Sequence, residues 1–230
     1  MNAFILHSGL FGCVITLGAY VLGLSIGKKV HVDVVNPLLI SVIFVICFLK
    51  LFDIDYVAFR ESTEMISKLL TPATVSLAIP LYQRRGTLKR YLKEILLSIT
   101  LSVLSGLVVV TLLSSLFRLS HVDFVTLLPK SVTTAIGMGL SEEMGGNVTI
   151  TVAVIIVTGI LGSVLATPLC RLFHITSTIA KGIAIGTSAH AIGTAKAMSI
   201  GEEEGAMSSL SLAVSGLLTV ILAPLFSSLL

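Results

Sequence analysis

The sequence predicts an all-α integral membrane protein, a polytopic helical bundle in which internal repeats carry interrupted helices. Three observations predict it. Hydrophobic residues make up 55% of the 230 and charged residues only 12%, whereas a soluble domain carries about 25% charged residues. Mean hydropathy is +1.05, so polar surface is too scarce to cover the chain in water. Apolar runs near 3–27, 91–117, 148–170 and 206–229 reach the roughly 20 residues that cross hydrocarbon. Between them, short segments rich in small and hydroxylated residues recur at nearly constant spacing. Interrupted apolar segments at matching places in internal repeats point to a transporter's binding site. A single membrane domain over 1–230 is the expected organisation.

The first run has no Lys or Arg before Lys28. Without a positive leader it reads as a retained helix rather than a signal peptide. Lys28 and Lys29 behind it place the first loop on the cytoplasmic side. The run at 37–51 is short and spans with snorkelling ends or continues through Ile54 to Ala58. Arg84, Arg85, Lys89, Arg90 and Lys93 form the most basic loop, also cytoplasmic if 37–51 and 61–82 supply two passes. The total number of spans stays open.

Thr74-Val75-Ser76-Leu77-Ala78-Ile79-Pro80 recurs 57 positions later as Ser131-Val132-Thr133-Thr134-Ala135-Ile136-Gly137, and Pro72 meets Pro129 at the same offset. A weaker copy, Ser188-Ala189-His190-Ala191-Ile192-Gly193, lies 56 positions further on. In the first copy Thr71, Thr74 and Ser76 are polar and Pro72 and Pro80 break the helix, so scaffold with a few polar contacts is expected. In the second, Pro129 suits a first helical turn, Ser131, Thr133 and Thr134 supply hydroxyls, and Gly137 and Gly139 let the backbone open. Opened backbone at membrane depth must be buried in protein or line a cavity. Free amides at a half-helix start attract anions, and Lys130 adds a full charge. Glu142 and Glu143 follow, before Gly145-Gly146. The bland reading is that hydroxyls commonly pack membrane helices and Lys130 snorkels.

In the third copy Gly182, Gly186, Ala189 and Gly193 form a small-residue face on helical spacing, with Thr187, His190 and Thr194 on an adjacent polar stripe. Lys196 follows. An ionisable residue amid small apolar ones is a functional candidate by default. His190 suits a carboxylate donor or proton carrier, or it simply bonds a neighbouring helix. His7, His31, His121 and His174 lie near predicted ends and receive no role.

All twelve acidic residues fall in predicted loops or at segment ends, whereas cation pumps place carboxylates inside the membrane. The inventory at depth fits a small anion. Cys13, Cys47 and Cys170 lack CxxC spacing and read as small apolar side chains. No cofactor, metal site or catalytic residue is expected, and nothing suggests nucleic acid as a partner.

On these same residues the chain resembles the LrgB/CidB family of bacterial membrane proteins, which includes the YohK-type inner-membrane proteins. The matches are Asn36-Pro37-Leu38-Leu39, Pro72-Ala73, Ala78-Ile79-Pro80-Leu81-Tyr82 and Leu128-Pro129-Lys130-Ser131-Val132-Thr133-Thr134. Further along come Gly145-Gly146, Gly159-Ile160-Leu161-Gly162, Gly186-Thr187-Ser188-Ala189-His190, Gly193-Thr194-Ala195 and Glu204-Gly205. The resemblance implies a fold like the bile-acid-symporter and cation–proton-antiporter transporters. It also implies either of two activities. One is transport of small monocarboxylates (pyruvate, lactate, glycolate or glycerate), since plastid relatives carry glycolate and glycerate. The other is antiholin-like or holin-like control of murein hydrolase activity and autolysis, beside a small LrgA/CidA-like membrane protein. It implies the bacterial inner membrane as location. Many relatives differ from Ser141-Glu142-Glu143 here, which puts two carboxylates beside the anion mouth.

The expected substrate-binding residues are Lys130, Ser131, Thr133, Thr134, Ser188, His190, Thr194 and Lys196. The expected breaks are at Pro72, Pro80, Pro129, Gly137, Gly186 and Gly193. Three functions compete: a monocarboxylate carrier, a non-transporting regulator or oligomeric pore component, and an intramembrane enzyme. The last lacks an acidic partner for His190. Self-association remains open.

Overall fold

The computed structural model describes residues 10–30, 37–76 and 78–230, and these fold into helices joined by short turns, with no strand among them. The start of the first apolar run, His7, His31, Asp33 and Leu77 lie outside the described residues, as do the side chains of Lys28, Lys29, Thr71, Thr74 and Pro80. The chain forms two compact units, Met1–Ser76 and Leu77–Leu230.

The first unit contains α1 (Phe11–Val30), α2 (Pro37–Leu51), α3 (Tyr56–Ser62), α4 (Glu64–Lys68) and α5 (Leu70–Ser76). Glycines set its packing. A Cβ on Gly23 would overlap the Pro37 carbonyl, and one on Gly12 would overlap Ser62. Ser41 donates to Pro37 O at 2.7 Å and reaches Ala19 O at 3.3 Å, tying α2 to α1. Asp55 caps α3 by accepting from the Ala58 amide at 3.1 Å. Pro72 lies exposed within α5, so within this unit it does not end a helix. Cys13 is buried, whereas Cys47 is exposed on α2.

The second unit begins with α6 (Ala78–Gln83), which contains Pro80, and α7 (Arg85–Arg90), and then holds α8 (Leu92–Leu116), α9 (His121–Leu127) and α10 (Thr134–Glu143). It ends with α11 (Val148–Leu172), α12 (Thr178–Ile200) and α13 (Glu202–Ser227). Helices α8, α11 and α13 are long and apolar enough to cross a membrane. At 1.5 Å per residue, 25 residues extend about 37 Å, more than the roughly 30 Å hydrocarbon core. These are the three long helices expected behind the repeats. On α8 the buried stripe Ile95, Ile99, Val103, Leu107, Val110 and Ser114 follows helical spacing, while Leu97, Leu101 and Leu112 are exposed on other faces, where lipid would stand.

Caps and left-handed turns fix the ends. Ser120, Thr133, Asn147 and Ser177 each accept a bond from an amide three residues on. Such caps contribute about 0.5–2 kcal/mol each. Arg118, His174 and Gly145 adopt positive φ just past the ends of α8, α11 and α10. There the next amide reaches back to Ser114, Cys170 and Ser141 respectively, closing each helix with a Schellman turn.

The two interrupted segments do not span. Both turn back on themselves. In α12 the backbone at His190 has φ 42° and ψ −134°, outside ordinary helix. A Cβ on Gly193 would sit 2.9 Å from the Ile185 carbonyl, although eight residues of straight helix would separate them by about 12 Å. Gly186 and Thr194 both lie on Ser208. Gly182 and Met198 both lie on the Glu204–Gly205 turn of α13. Positions equidistant from His190 thus meet the same partner, which makes residues 178–189 and 191–200 the arms of a hairpin.

A second hairpin joins α9 to α10. Thr126 lies beside Ser141 and Gly146, and Gly137 lies near the Pro129 carbonyl. Its tip is the non-helical stretch 128–133.

Arg84 pairs with Glu202 at 2.6 Å, so α13 starts at the end of the unit from which α8 departs. Following the chain, α8 leads to the far end, the α9–α10 hairpin enters and leaves there, α11 returns, and the α12 hairpin enters from the near end. Hairpin plus long helix (121–172) is therefore followed by hairpin plus long helix (178–227) with inverted orientation. This is the structural content of the second and third sequence copies, an inverted repeat of the kind found in carriers.

Candidate functional site

The two hairpin tips reach toward the middle of the unit from opposite ends. His190 lies twelve residues beyond Thr178, about 18 Å along the helix, near half the depth of a bilayer core. The tip at 128–133 is sheltered: Phe124, Val125 and Val132 are buried and Pro129 is fully enclosed. That meets the demand that opened peptide at membrane depth be covered by protein.

A cavity of about 340 Å³ lies between the tips and two long helices. Helix α8 contributes Ser102 and Ser105 beside Gly106, and the first tip contributes Leu128, Lys130 and Ser131. The ascending arm of α12 adds Ala184, Thr187 and Ser188, and α13 adds Ser215 and Thr219. Ser105 and Ser188 are exposed at the rim, whereas Val103, Leu107, Thr187, Ser215 and Thr219 are buried. The contributing stretches of α8 and α13 lie in the middle of those helices. The volume is at the low end for a small-molecule pocket.

Lys130 is the one ionisable side chain on this lining. Its ammonium donates to Ser131 Oγ at 2.9 Å. The ion pairs Lys68–Glu64 and Arg84–Glu202 both lie away from this lining. A half-buried cation facing hydroxyls, without a carboxylate on the same wall, is complementary to one negative charge. Among the described residues no three His, Cys, Asp or Glu side chains gather as metal ligands.

Of the expected binding residues, Lys130, Ser131 and Ser188 line the cavity. Thr133 caps α10, accepting from the Ile136 amide at 3.4 Å, and Thr134 is the half-buried first residue of that helix. His190 is buried, and its Nε2 lies 2.9 Å from the Ile155 carbonyl of α11. Thr194 bonds the His190 carbonyl and Ser208 Oγ, both at 2.9 Å. Lys196 is half-buried on the returning arm and outside the cavity lining. The third copy thus contributes two things: Thr187 and Ser188 to the cavity, and His190 and Thr194 to clasps that hold the hairpin.

The glycines divide likewise. The chain reverses at His190, not at a glycine. Gly193 admits the returning arm, and Gly186 lets the ascending arm approach α13, where a Cβ would overlap the Ser208 carbonyl. Gly137 is inside α10 against Ile155, with the opening at 128–133. On α11, a Cβ at Gly159 would come within 2.6 Å of the His190 ring and one at Gly162 within 2.6 Å of Ala189. Glu142 and Glu143 are exposed and Ser141 is buried, so the two carboxylates stand away from the cavity lining.

Sequence reasoning missed Ser102, Ser105, Ser215 and Thr219. Their signal was present: Ser208, Ser211, Ser215 and Thr219 recur at helical spacing along an apolar helix and form one buried face. A stripe of hydroxyls ordinarily signals helix packing, which is why it drew no attention.

Comparison with known proteins agrees over nearly the whole chain. The LrgB-like family profile matches residues 16–229. The chain is 36% identical over 210 residues to "Holin-like protein CidB" of Staphylococcus epidermidis (strain ATCC 35984), covering 91% of this chain and 92% of the relative. It is 35% identical over 217 residues to "Antiholin-like protein LrgB" of Bacillus subtilis (strain 168), covering 94% of each. "Holin-like protein CidB" of Staphylococcus aureus (strain Mu50) is 35% identical over 210 residues, 91% of this chain and 92% of that one. No solved structure matches.

Proposed function

We propose a carrier function for this chain, which belongs to the LrgB-like family and is an all-α membrane protein. The substrate is a small monocarboxylate of the pyruvate, lactate, glycolate or glycerate class, and the location is the bacterial cytoplasmic membrane. The observation that carries the reading is the mid-depth cavity whose single charged lining residue is Lys130. An inverted pair of hairpins around a polar cavity supports alternating access, with one hairpin or bundle moving while the site persists. No group on the lining is assigned a chemical step, so the reading is transport without catalysis.

The test is uptake. Purified protein in liposomes, alone and with an LrgA/CidA-like partner, is expected to accumulate radiolabelled pyruvate, lactate or glycolate. Lys130→Met is expected to lower this by about tenfold or more, the loss of one charge-assisted contact. Uptake no greater than in empty liposomes, with the partner present, removes the reading.

A second reading is holin-like or antiholin-like control of murein hydrolase activity, and the names of the relatives favour it more directly than they favour transport. It expects altered autolysis in a deletion strain grown without any carboxylate in the medium. It also expects Lys130→Met to complement that strain. The carrier reading expects the autolysis change to follow carboxylate supply and the Lys130 variant to fail.

A further inference from the structure

Arg84, Arg85, Lys89, Arg90 and Lys93 stand together at the start of the second unit, with no acidic residue among positions 84–93. The carboxylates at this end leave them largely uncompensated. On the first turn of α13, Glu202 is taken by Arg84, Glu203 accepts from Thr178, and Glu204 is buried. Glu94 follows the cations on the first turn of α8. Arg85, Lys89, Arg90 and Lys93 are all exposed. The far end of the unit has the opposite balance, with Asp123, Glu142 and Glu143 against Arg118.

Two of the cations are held in position. The Arg85 guanidinium lies 4.6 Å from the centre of the Tyr82 ring, and that of Arg90 lies 5.3 Å from the centre of Tyr91. A guanidinium stacked on a ring keeps its edge N–H groups free, a planar fork that matches two phosphate oxygens. Tyrosine rings favour the headgroup level of a bilayer. An apolar wall begins at once beyond them: Leu92, Leu96 and Leu97 are exposed on the first turns of α8, and Leu92 and Leu96, four apart, share a face. Leu88 packs inward against the core of the unit, which fixes α7 in place with its cations outward.

We propose that α7 and the first turns of α8 form a binding site for an anionic phospholipid of the cytoplasmic leaflet. The edges of Arg85 and Arg90 hold the phosphodiester, Lys89 and Lys93 add charge, and the acyl chains lie along Leu92 and Leu96. A basic cluster just outside a membrane helix attracts anionic headgroups in a diffuse way. The stacked arginines and the leucine track turn that attraction into a defined place. A free phosphate ion would leave the leucines unused, and a zwitterionic lipid carries a cation of its own that the lysines repel. The inference stands apart from the carrier reading and holds whichever function the cavity serves.

The test is native mass spectrometry of the purified full chain, released from detergent micelles carrying equimolar phosphatidylglycerol and phosphatidylcholine with identical acyl chains. Bound phosphatidylglycerol is expected to exceed phosphatidylcholine by at least about tenfold. In Arg85→Gln/Arg90→Gln the ratio is expected to fall to within about threefold of unity. Arg85→Lys/Arg90→Lys keeps the charge without the planar fork, and should fall at least about threefold below wild type. Arg118→Asn, at the far end, should leave the ratio unchanged. Thermal unfolding of the variants at the wild-type midpoint excludes a folding defect. Should the double glutamine variant unfold early, Arg90→Gln alone is read the same way. A wild-type chain without preference for phosphatidylglycerol overturns the inference, as does a glutamine variant that keeps the preference. A lysine variant equal to wild type overturns it too, because diffuse charge then suffices. Displacement of the bound lipid by millimolar inorganic phosphate also overturns it, because the site then takes a free anion.

Discussion

Gly159→Ala is the smallest change that should disable the α12 hairpin. The added Cβ would lie 2.6 Å from His190 Cε1, 2.9 Å from Nε2 and 2.8 Å from Ile192 Cδ1. Ordinary carbon contacts need about 3.5 Å or more, so the imidazole must withdraw by roughly 0.9 Å. The Nε2 to Ile155 carbonyl distance starts at 2.9 Å. Adding most of that displacement carries it past about 3.5 Å, where no hydrogen bond remains. Losing a buried hydrogen bond costs about 1–3 kcal/mol, and overpacking against Ile192 adds about 1 kcal/mol. His190 already has a positive φ that costs about 1–3 kcal/mol and persists only while its surroundings enforce it. A total near 2–4 kcal/mol corresponds to a fall in Tm of roughly 4–16 °C for a chain of this size. The assay is thermal unfolding in detergent followed by circular dichroism, with Gly139→Ala as control. A Cβ at Gly139 on α10 meets nothing within 4 Å, so that change should be neutral or stabilising by up to about 1 kcal/mol. If Gly159→Ala unfolds no earlier than Gly139→Ala, the imidazole clasp is not what holds the hairpin.

Thr133→Ala removes the cap of α10 and should destabilise by about 0.5–2 kcal/mol, read as a lower unfolding midpoint in the same assay. Thr151→Val should cost about 1–3 kcal/mol, because Thr151 Oγ1 joins the Thr126 carbonyl at 2.9 Å and Ser141 Oγ at 2.7 Å in a buried cluster. Arg84→Ala should change stability by less than about 1 kcal/mol, since its partner Glu202 is 84% exposed. A larger shift there would mean that the pair does more than join two surface segments.

Much of the membrane architecture was legible in composition. Runs near 91–117, 148–170 and 206–229 became α8, α11 and α13 within a few residues, because hydrocarbon leaves no choice for a long apolar segment but helix. The short polar copies were legible as interruptions, and 57-residue spacing marked two of them as related. Their form was not. Helical periodicity through Gly182, Gly186, Ala189 and Gly193 continues unbroken across His190, so the reversal left no trace in the pattern. It shows only in contacts that place Gly193 on Ile185 and Gly186 with Thr194 on Ser208. Lys130, Ser131 and Ser188 could be singled out because charge or hydroxyls stood beside a break. Ser215 and Thr219 stood in an uninterrupted helix and could not.

By itself, then, the sequence determined that the chain is an all-helical membrane protein with repeated polar interruptions, because solvent transfer depends on composition and run length alone. Tertiary structure decided that the interruptions turn back as hairpins from opposite ends, that His190 and Thr194 clasp while Lys130 and Ser188 line, and that Ser102, Ser105, Ser215 and Thr219 join them on that lining. Those outcomes depend on which carbonyl, glycine or neighbouring helix lies within a few ångströms of each side chain, and no one-dimensional spacing encodes that.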